Sequence, residues 1–143
     1  MTVNQILAVK GKEVYSVLPS ITVYEALVSM SEKNIGAILV VEDNVLKGIL
    51  SERDYARKIA LKDKSSKETM VHEIMASNVI TVKPSDKLEY CMELMYTKKI
   101  RHLPVLENEN IIGIISIGDV VKSIIDLQQE TIKHLDSYIS GNS

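Results

Sequence analysis

Two segments of the sequence, Gly48-Ile-Leu-Ser-Glu-Arg-Asp54 and Gly113-Ile-Ile-Ser-Ile-Gly-Asp119, share the pattern Gly-x-x-Ser-x-x-Asp. In each, an apolar run that reads as a strand ends on a serine, and a helix opens with an aspartate in its first turn. Such a corner supports two readings. A serine at the N-cap with an acid three residues on is the pattern of a capping box, and an acid in the first turn suits the helix dipole. The same corner also offers N–H groups and a hydroxyl to a phosphate, and a carboxylate that can accept both hydroxyls of a ribose. On the second reading Ser51, Asp54, Ser116 and Asp119 are candidate ligand-binding residues.

Few other residues form a constellation with chemistry in it. There is no Gly-x-Ser-x-Gly elbow, no Walker A loop, no Gly-x-Gly-x-x-Gly and no Cys/His cluster with the spacing of a zinc site. His72 beside Glu73 reads as part of a polar lead-in. The single cysteine, Cys91, cannot close an internal disulfide, so a reducing, cytoplasmic setting is expected; with Met92 and Met95 it reads as core packing on one helix face. A net charge of −2, from 17 basic and 19 acidic residues, gives no footprint for nucleic acid or an anionic membrane surface. No apolar run approaches the roughly 20 residues that span a bilayer, and the first residues lack the charged-then-apolar order of a signal peptide. Tyr55 could stack on a base or pack in a core.

The two Ser-x-x-Asp corners belong to a longer duplication. Residues 14–59 placed over 79–124 match at 14 of 46 positions without a gap, at a constant offset of 65. A shorter echo precedes each copy, Val3-Asn-Gln-Ile-Leu7 against Val71-His-Glu-Ile-Met75, at an offset of 68. The first copy therefore carries three extra residues within Ala8-Val-Lys-Gly-Lys-Glu13, either a ligand loop or a tolerated surface loop.

Each copy reads as strand, helix, strand, strand, helix. In the first, Val14–Val17 is a short strand stopped by Pro19. Thr22 and Glu25 form a capping box for a helix with Val23, Ala26, Leu27 and Met30 on one face. Ala37–Val41 and Leu46–Leu50 form a hairpin turned by Glu42-Asp43-Asn44, and Ser51–Leu61 is helical. The second copy repeats this with strands at Val79–Val82, His102–Leu106 and Ile111–Ile115, and helices over Leu88–Lys98 and from Ser116. Residues 62–68 are a polar linker, and Ile125–Ile139 reads as an additional amphipathic helix ending at Gly141. The expected fold is α+β: two β-α-β-β-α repeats about a pseudo-two-fold axis plus a C-terminal helix, because one copy alone buries too little apolar surface. The expected divisions are 1–61, a linker at 62–70, 71–125, and 126–143. Such an axis generates two related clefts.

The ordered set resembles the cystathionine-β-synthase (CBS) domains in their tandem form, the Bateman module. The resemblance covers about residues 3 to 125 and rests on the lead-ins ending in Ile-Leu or Ile-Met, on Ile35-Gly-Ala-Ile-Leu-Val40 and Ile100-Arg-His-Leu-Pro-Val105, and on the duplicated Gly-x-x-Ser-x-x-Asp. Small stand-alone bacterial-type members are similar in Ser51-Glu-Arg-Asp-Tyr-Ala-Arg57 and Leu135-Asp-Ser-Tyr-Ile-Ser140. The resemblance implies that AMP, ATP or NAD(H) binds between the repeats as a regulatory ligand rather than a catalytic cofactor. Asp54 and Asp119 would then hold ribose hydroxyls, and Ser51 and Ser116 would touch phosphate. Backbone groups at Gly36, Ala37 and Ile38, at His102, Leu103 and Pro104, and around Val17 and Val82 would flank the adenine.

The copies differ where charge matters. Arg53 aligns with Gly118, and Gly36-Ala37 aligns with Arg101-His102. Arg53, Arg101 and His102 are therefore candidate phosphate ligands, and the two clefts should not prefer the same phosphate chain. The expected function is an adenine-nucleotide-sensing module that signals through a homodimer or an effector protein. A structural dimer whose serines and aspartates only cap helices is the alternative, and a nucleotide-processing enzyme a more remote one.

Overall fold

A computed structural model describes residues 1–140; Gly141, the expected end of the last helix, lies outside them. The elements in chain order are α1 (Val3–Lys10), β1 (Ser16–Val17), α2 (Val23–Lys33), β2 (Ala37–Glu42), β3 (Val45–Ser51), α3 (Glu52–Lys58), α4 (Val71–Ile74), α5 (Leu88–Lys98), β4 (His102–Glu107), β5 (Asn110–Ser116) and α6 (Ile117–Ile139). This is the expected α+β duplication with its C-terminal helix, although the last helix is not a separate element: α6 runs unbroken from the second Ser-x-x-Asp corner through residue 125.

Both hairpins form as expected and share one geometry. Two left-handed residues turn each, Asp43-Asn44 and Asn108-Glu109, as a tight two-residue hairpin requires. The register of each slips by one residue beside the glycine, between Val40 and Val41 and between Val105 and Leu106. Gly48 and Gly113 follow from close approach. A Cβ on Gly48 would lie 2.7 Å from Met75 Sδ and 2.8 Å from the Ala76 carbonyl oxygen, and one on Gly113 would lie 2.8 Å from a methyl of Leu7.

Those contacts reveal an exchange. Leu7 and Met75 belong to the two lead-ins, and each lead-in packs into the other copy. Val3, Ile6 and Leu7 of α1 are buried with Leu88, Cys91, Leu103, Ile115 and Val120 of the second copy. Val71 and Ile74 of α4 are buried with Val23, Met30, Val40, Leu50 and Ile59 of the first. Backbone bonds repeat the symmetry: the Val71 and His72 amides donate to the Ile21 and Pro19 carbonyls, while those of Val3 and Asn4 donate to the Asp86 and Pro84 carbonyls. Neither core closes without a segment from the far side of the linker.

The first strands fall short of expectation. Val14–Val17 reduces to Ser16–Val17, parallel to β2, and Val79–Val82 to a single bridge from Val82 to Val105. One residue accounts for the difference between the two copies. Leu39 of β2 donates its amide to the Tyr15 carbonyl, whereas the equivalent residue of β4 is Pro104, which has no N–H to give. Two smaller expectations also change. The Thr22 hydroxyl accepts from the Glu25 amide, but the reciprocal half of that capping box is absent; and the helix expected over Ser51–Leu61 ends at Lys58, with a 3-10 turn at Ala60–Lys62. On α5, Cys91 and Met95 are buried while Met92 is exposed.

Candidate functional site

The two Ser-x-x-Asp corners are built alike, and the caps are complete. Ser51 Oγ accepts from the Asp54 amide at 3.1 Å, while Asp54 Oδ2 accepts from the Ser51 amide and hydroxyl, both at 3.0 Å. In the second corner Asp119 Oδ2 accepts from the Ser116 amide at 2.7 Å and its hydroxyl at 2.9 Å. The amides of Glu52 and Ile117 already donate to the carbonyls of Gly36 and Arg101. Two of the first three amides of each helix are therefore spent, and each serine proton is committed to its aspartate. The expected phosphate seat on free helix N–H groups is thus narrowed to one of the first three amides of each helix. Each carboxylate, with about four lone-pair sites, can still accept from a ligand hydroxyl.

Each corner forms one wall of a cleft whose other wall comes from the opposite repeat. The first cleft, about 320 Å³, is lined by Ser51, Arg53, Asp54 and Arg57 on one side and by Ala76, Lys99, Arg101 and His102 on the other. The second, about 560 Å³, places Ser116, Asp119 and Ile114 against Tyr15, Lys33, Gly36 and Ala37, with Lys10 and Gly11 at the end of α1. Gly36 and His102 line both clefts, which therefore adjoin. Of the residues singled out in the sequence, Gly36, Ala37, Ser51, Arg53, Asp54, Arg101, His102, Ser116 and Asp119 line a cleft. Val17, Ile38, Val82, Leu103 and Pro104 line neither. Ile38, Val82, Leu103 and Pro104 are buried, and the Val82 amide and carbonyl bond to Pro104 and Leu106. Tyr55 packs against the first core rather than lining either cleft.

Sequence reasoning missed Lys10. The segment 8–13 is part helix and part loop: residues 8–10 lengthen α1 by most of a turn, to a stop at Gly11 with φ 102°, and residues 11–13 lie outside any helix or strand, with Gly11 and Glu13 lining the second cleft. That turn carries Lys10 Nζ to 2.6 Å from Asp119 Oδ2 and 2.5 Å from the Ile114 carbonyl oxygen. In the first cleft the chain instead leaves α4 extended, and Ala76 exchanges both backbone bonds with Ile49; Asp54 Oδ1 has Lys58 at 3.3 Å. The insertion was visible in the repeat alignment, but its direction was not.

Charge sets the protonation of this wall. Burial raises the Asp119 carboxyl, but the Lys10 ammonium and the Ser116 donors outweigh it, so its pKa lies below the usual carboxylate range. Burial, then Lys10, lowers the His102 imidazole, with Arg101 adding to the effect and Asp119 opposing it, so His102 stands neutral at pH 7. Far from both clefts, burial and the nearby Asp86 push the Cys91 thiol up to about 11, which leaves it an unreactive core residue.

The CBS domain family matches residues 8–61 and 71–126. The chain belongs to that family. Among its relatives, the Arabidopsis thaliana mitochondrial CBS domain-containing protein CBSX3 is 44% identical over 125 residues, covering 84% of this chain and 61% of that protein; the chain thus spans about three-fifths of its length. The structure of a protein with CBS domains from Burkholderia ambifaria superposes with a TM-score of 0.85 at 49% identity, covering 88% of this chain and 95% of the other. The CBS pair of MJ0100, solved with 5-methylthioadenosine and S-adenosyl-L-methionine, superposes at 0.76 with 25% identity, covering 87% and 95%. The two clefts of this CBS pair thus lie between repeats exchanged through their lead-ins. Among the described residues, no helix is long and apolar enough to cross a membrane and no group of three His, Cys, Asp or Glu side chains is placed to hold a metal.

Proposed function

We propose that this CBS pair is a regulatory module, not an enzyme, that binds adenosine-bearing ligands of the AMP, ATP or NAD(H) type in its two clefts. Asp54 and Asp119 accept from ribose hydroxyls, and Arg53, Arg101 and neutral His102 face the phosphates. The observation that carries this reading is the repetition of one corner: an aspartate fixed by its own serine stands on the wall of each cleft, with room beside it. The MJ0100 pair, which holds two adenosine-bearing molecules, supports the ligand class. A cap that is complete without ligand favours the second reading, a purely structural module.

Signalling in this proposal runs through a homodimer or an effector protein, since a ligand shifts an interface only by its differential affinity for two states. The support is an apolar groove between α5 and α6, where Met92, Tyr96, Ile117 and Val121 are all more than 40% exposed. Such a patch suits a second copy of the chain.

A thermal denaturation screen with AMP, ADP, ATP, NAD, NADH and S-adenosylmethionine separates the readings. At about 100 times the dissociation constant a ligand adds roughly 2.7 kcal/mol of stability, which the Asp54→Ala/Asp119→Ala double variant should not show. No shift with any ligand supports the structural module.

A further inference from the structure

The clefts are related by the repeat, but their charges are not. Among the described residues, the first is lined by four cations, Arg53, Arg57, Lys99 and Arg101, against Glu52 and Asp54. Arg53 also reaches across the cleft, its Nη1 donating at 3.5 Å to the carbonyl of Lys99, so the two repeats set these cations side by side. The second cleft is lined by two cations, Lys10 and Lys33, against Glu13 and Asp119. Neither of its cations stands free. Lys10 is held by Asp119 and by the Ile114 carbonyl, and Lys33 lies 5.0 Å over the ring of Tyr15, whose hydroxyl donates to Glu13.

We propose that the clefts are sorted by charge: the first takes the polyphosphate end of a nucleoside di- or triphosphate, and the second takes a nucleoside ligand of little or no net negative charge, with Lys10 cancelling Asp119 there. This rests on the nucleotide reading above and adds which ligand each cleft prefers. Guanidinium groups fork onto phosphate oxygens, and a surplus of cations in a partly enclosed cleft raises the local concentration of polyanions. In the second cleft an anion meets a wall already neutral, and the Lys10 ammonium must leave two acceptors before it can serve a phosphate. The difference is written in the sequence at three places: Gly118 in the second copy where the first has Arg53, Gly36 in the first where the second has Arg101, and the three residues that bring Lys10 into reach.

Calorimetric titration of the full chain with adenosine, ATP and S-adenosylmethionine tests this in the wild type, in Arg53→Gln/Arg101→Gln and in Lys10→Met. The wild type should bind ATP at one site per chain, more weakly as salt rises, and adenosine at a second. The arginine variant should lose about tenfold in ATP affinity, the sum of two partly exposed charge contacts, while the second site holds adenosine as before. Lys10→Met, which leaves Asp119 uncancelled, should gain affinity for the cationic S-adenosylmethionine without changing ATP binding. An unchanged ATP affinity in the arginine variant, or two sites with the same order of preference in the wild type, overturns the sorting and leaves nucleotide binding standing. Absence of heat with all three ligands overturns both.

Discussion

At the scale of single residues, Asp119 does three jobs with one carboxylate: it completes a helix cap, anchors Lys10, and faces the second cleft. Its pKa is depressed, so its contribution to stability is complete above the ordinary carboxylate range and is lost as pH falls through the lowered value. His102 acts in the same sense. Its lowered pKa means that the unfolded chain binds the proton first, so stability is full above the ordinary imidazole value of about 6.5 and falls as pH drops through the folded one. The two are linked through Lys10, which lowers both. In Lys10→Met the His102 ring should therefore titrate closer to its ordinary value in NMR, and urea midpoints should fall less with acid than in the wild type, because both shifts shrink. The stability lost at neutral pH should be about 1 kcal/mol or less, because both partners are partly exposed. A His102 titration that does not move would show that Lys10 does not govern this wall.

Among the elements, the lead-in helices carry more of the fold than their length suggests. Leu7 is 1% exposed and fills the hollow over Gly113, so Leu7→Ala should cost about 2–5 kcal/mol although it lies outside the copy it stabilises. Gly48→Ala should cost about 1–3 kcal/mol and more than Gly113→Ala, because its Cβ meets a backbone carbonyl as well as a side chain, whereas Leu7 can shift its methyls. Chemical denaturation of the three variants checks both. Periodicity and turn chemistry made the hairpins, α2 and α5 legible, since local pattern and final contacts agree there. The exchange was not legible, because the two lead-ins are nearly interchangeable in sequence and either would satisfy either core. The shortened first strand of the second copy was readable in principle from Pro104, a proline facing the strand it should have paired with. Lys10 was out of reach because a three-residue insertion reads the same as loop or as helix until Gly11 ends it.

For the whole molecule, the duplication supplies two clefts and one long exposed helix, which in the proposed function serve ligand and signal. If the groove between α5 and α6 receives a second copy, Tyr96→Glu/Val121→Glu should shift the protein from dimer to monomer in light scattering with little loss of fold, as both side chains are already exposed. The family and the architecture were legible because they rest on ordered motifs present twice. Which residues face the clefts was legible only in part: Ile38, Leu103 and Pro104 share strands with the lining residues Ala37 and His102 while Val17 and Val82 share none, and alternation along a strand does not say which neighbours a second repeat will cover. In the proposed function both clefts are built around a carboxylate that receives a ribose. A crystal structure grown with saturating AMP tests it most directly. The expected result is a nucleotide with its ribose hydroxyls about 2.5–3.0 Å from Asp54 or Asp119 oxygens; two empty clefts, with serine and aspartate still closed on each other, would overturn the ribose role.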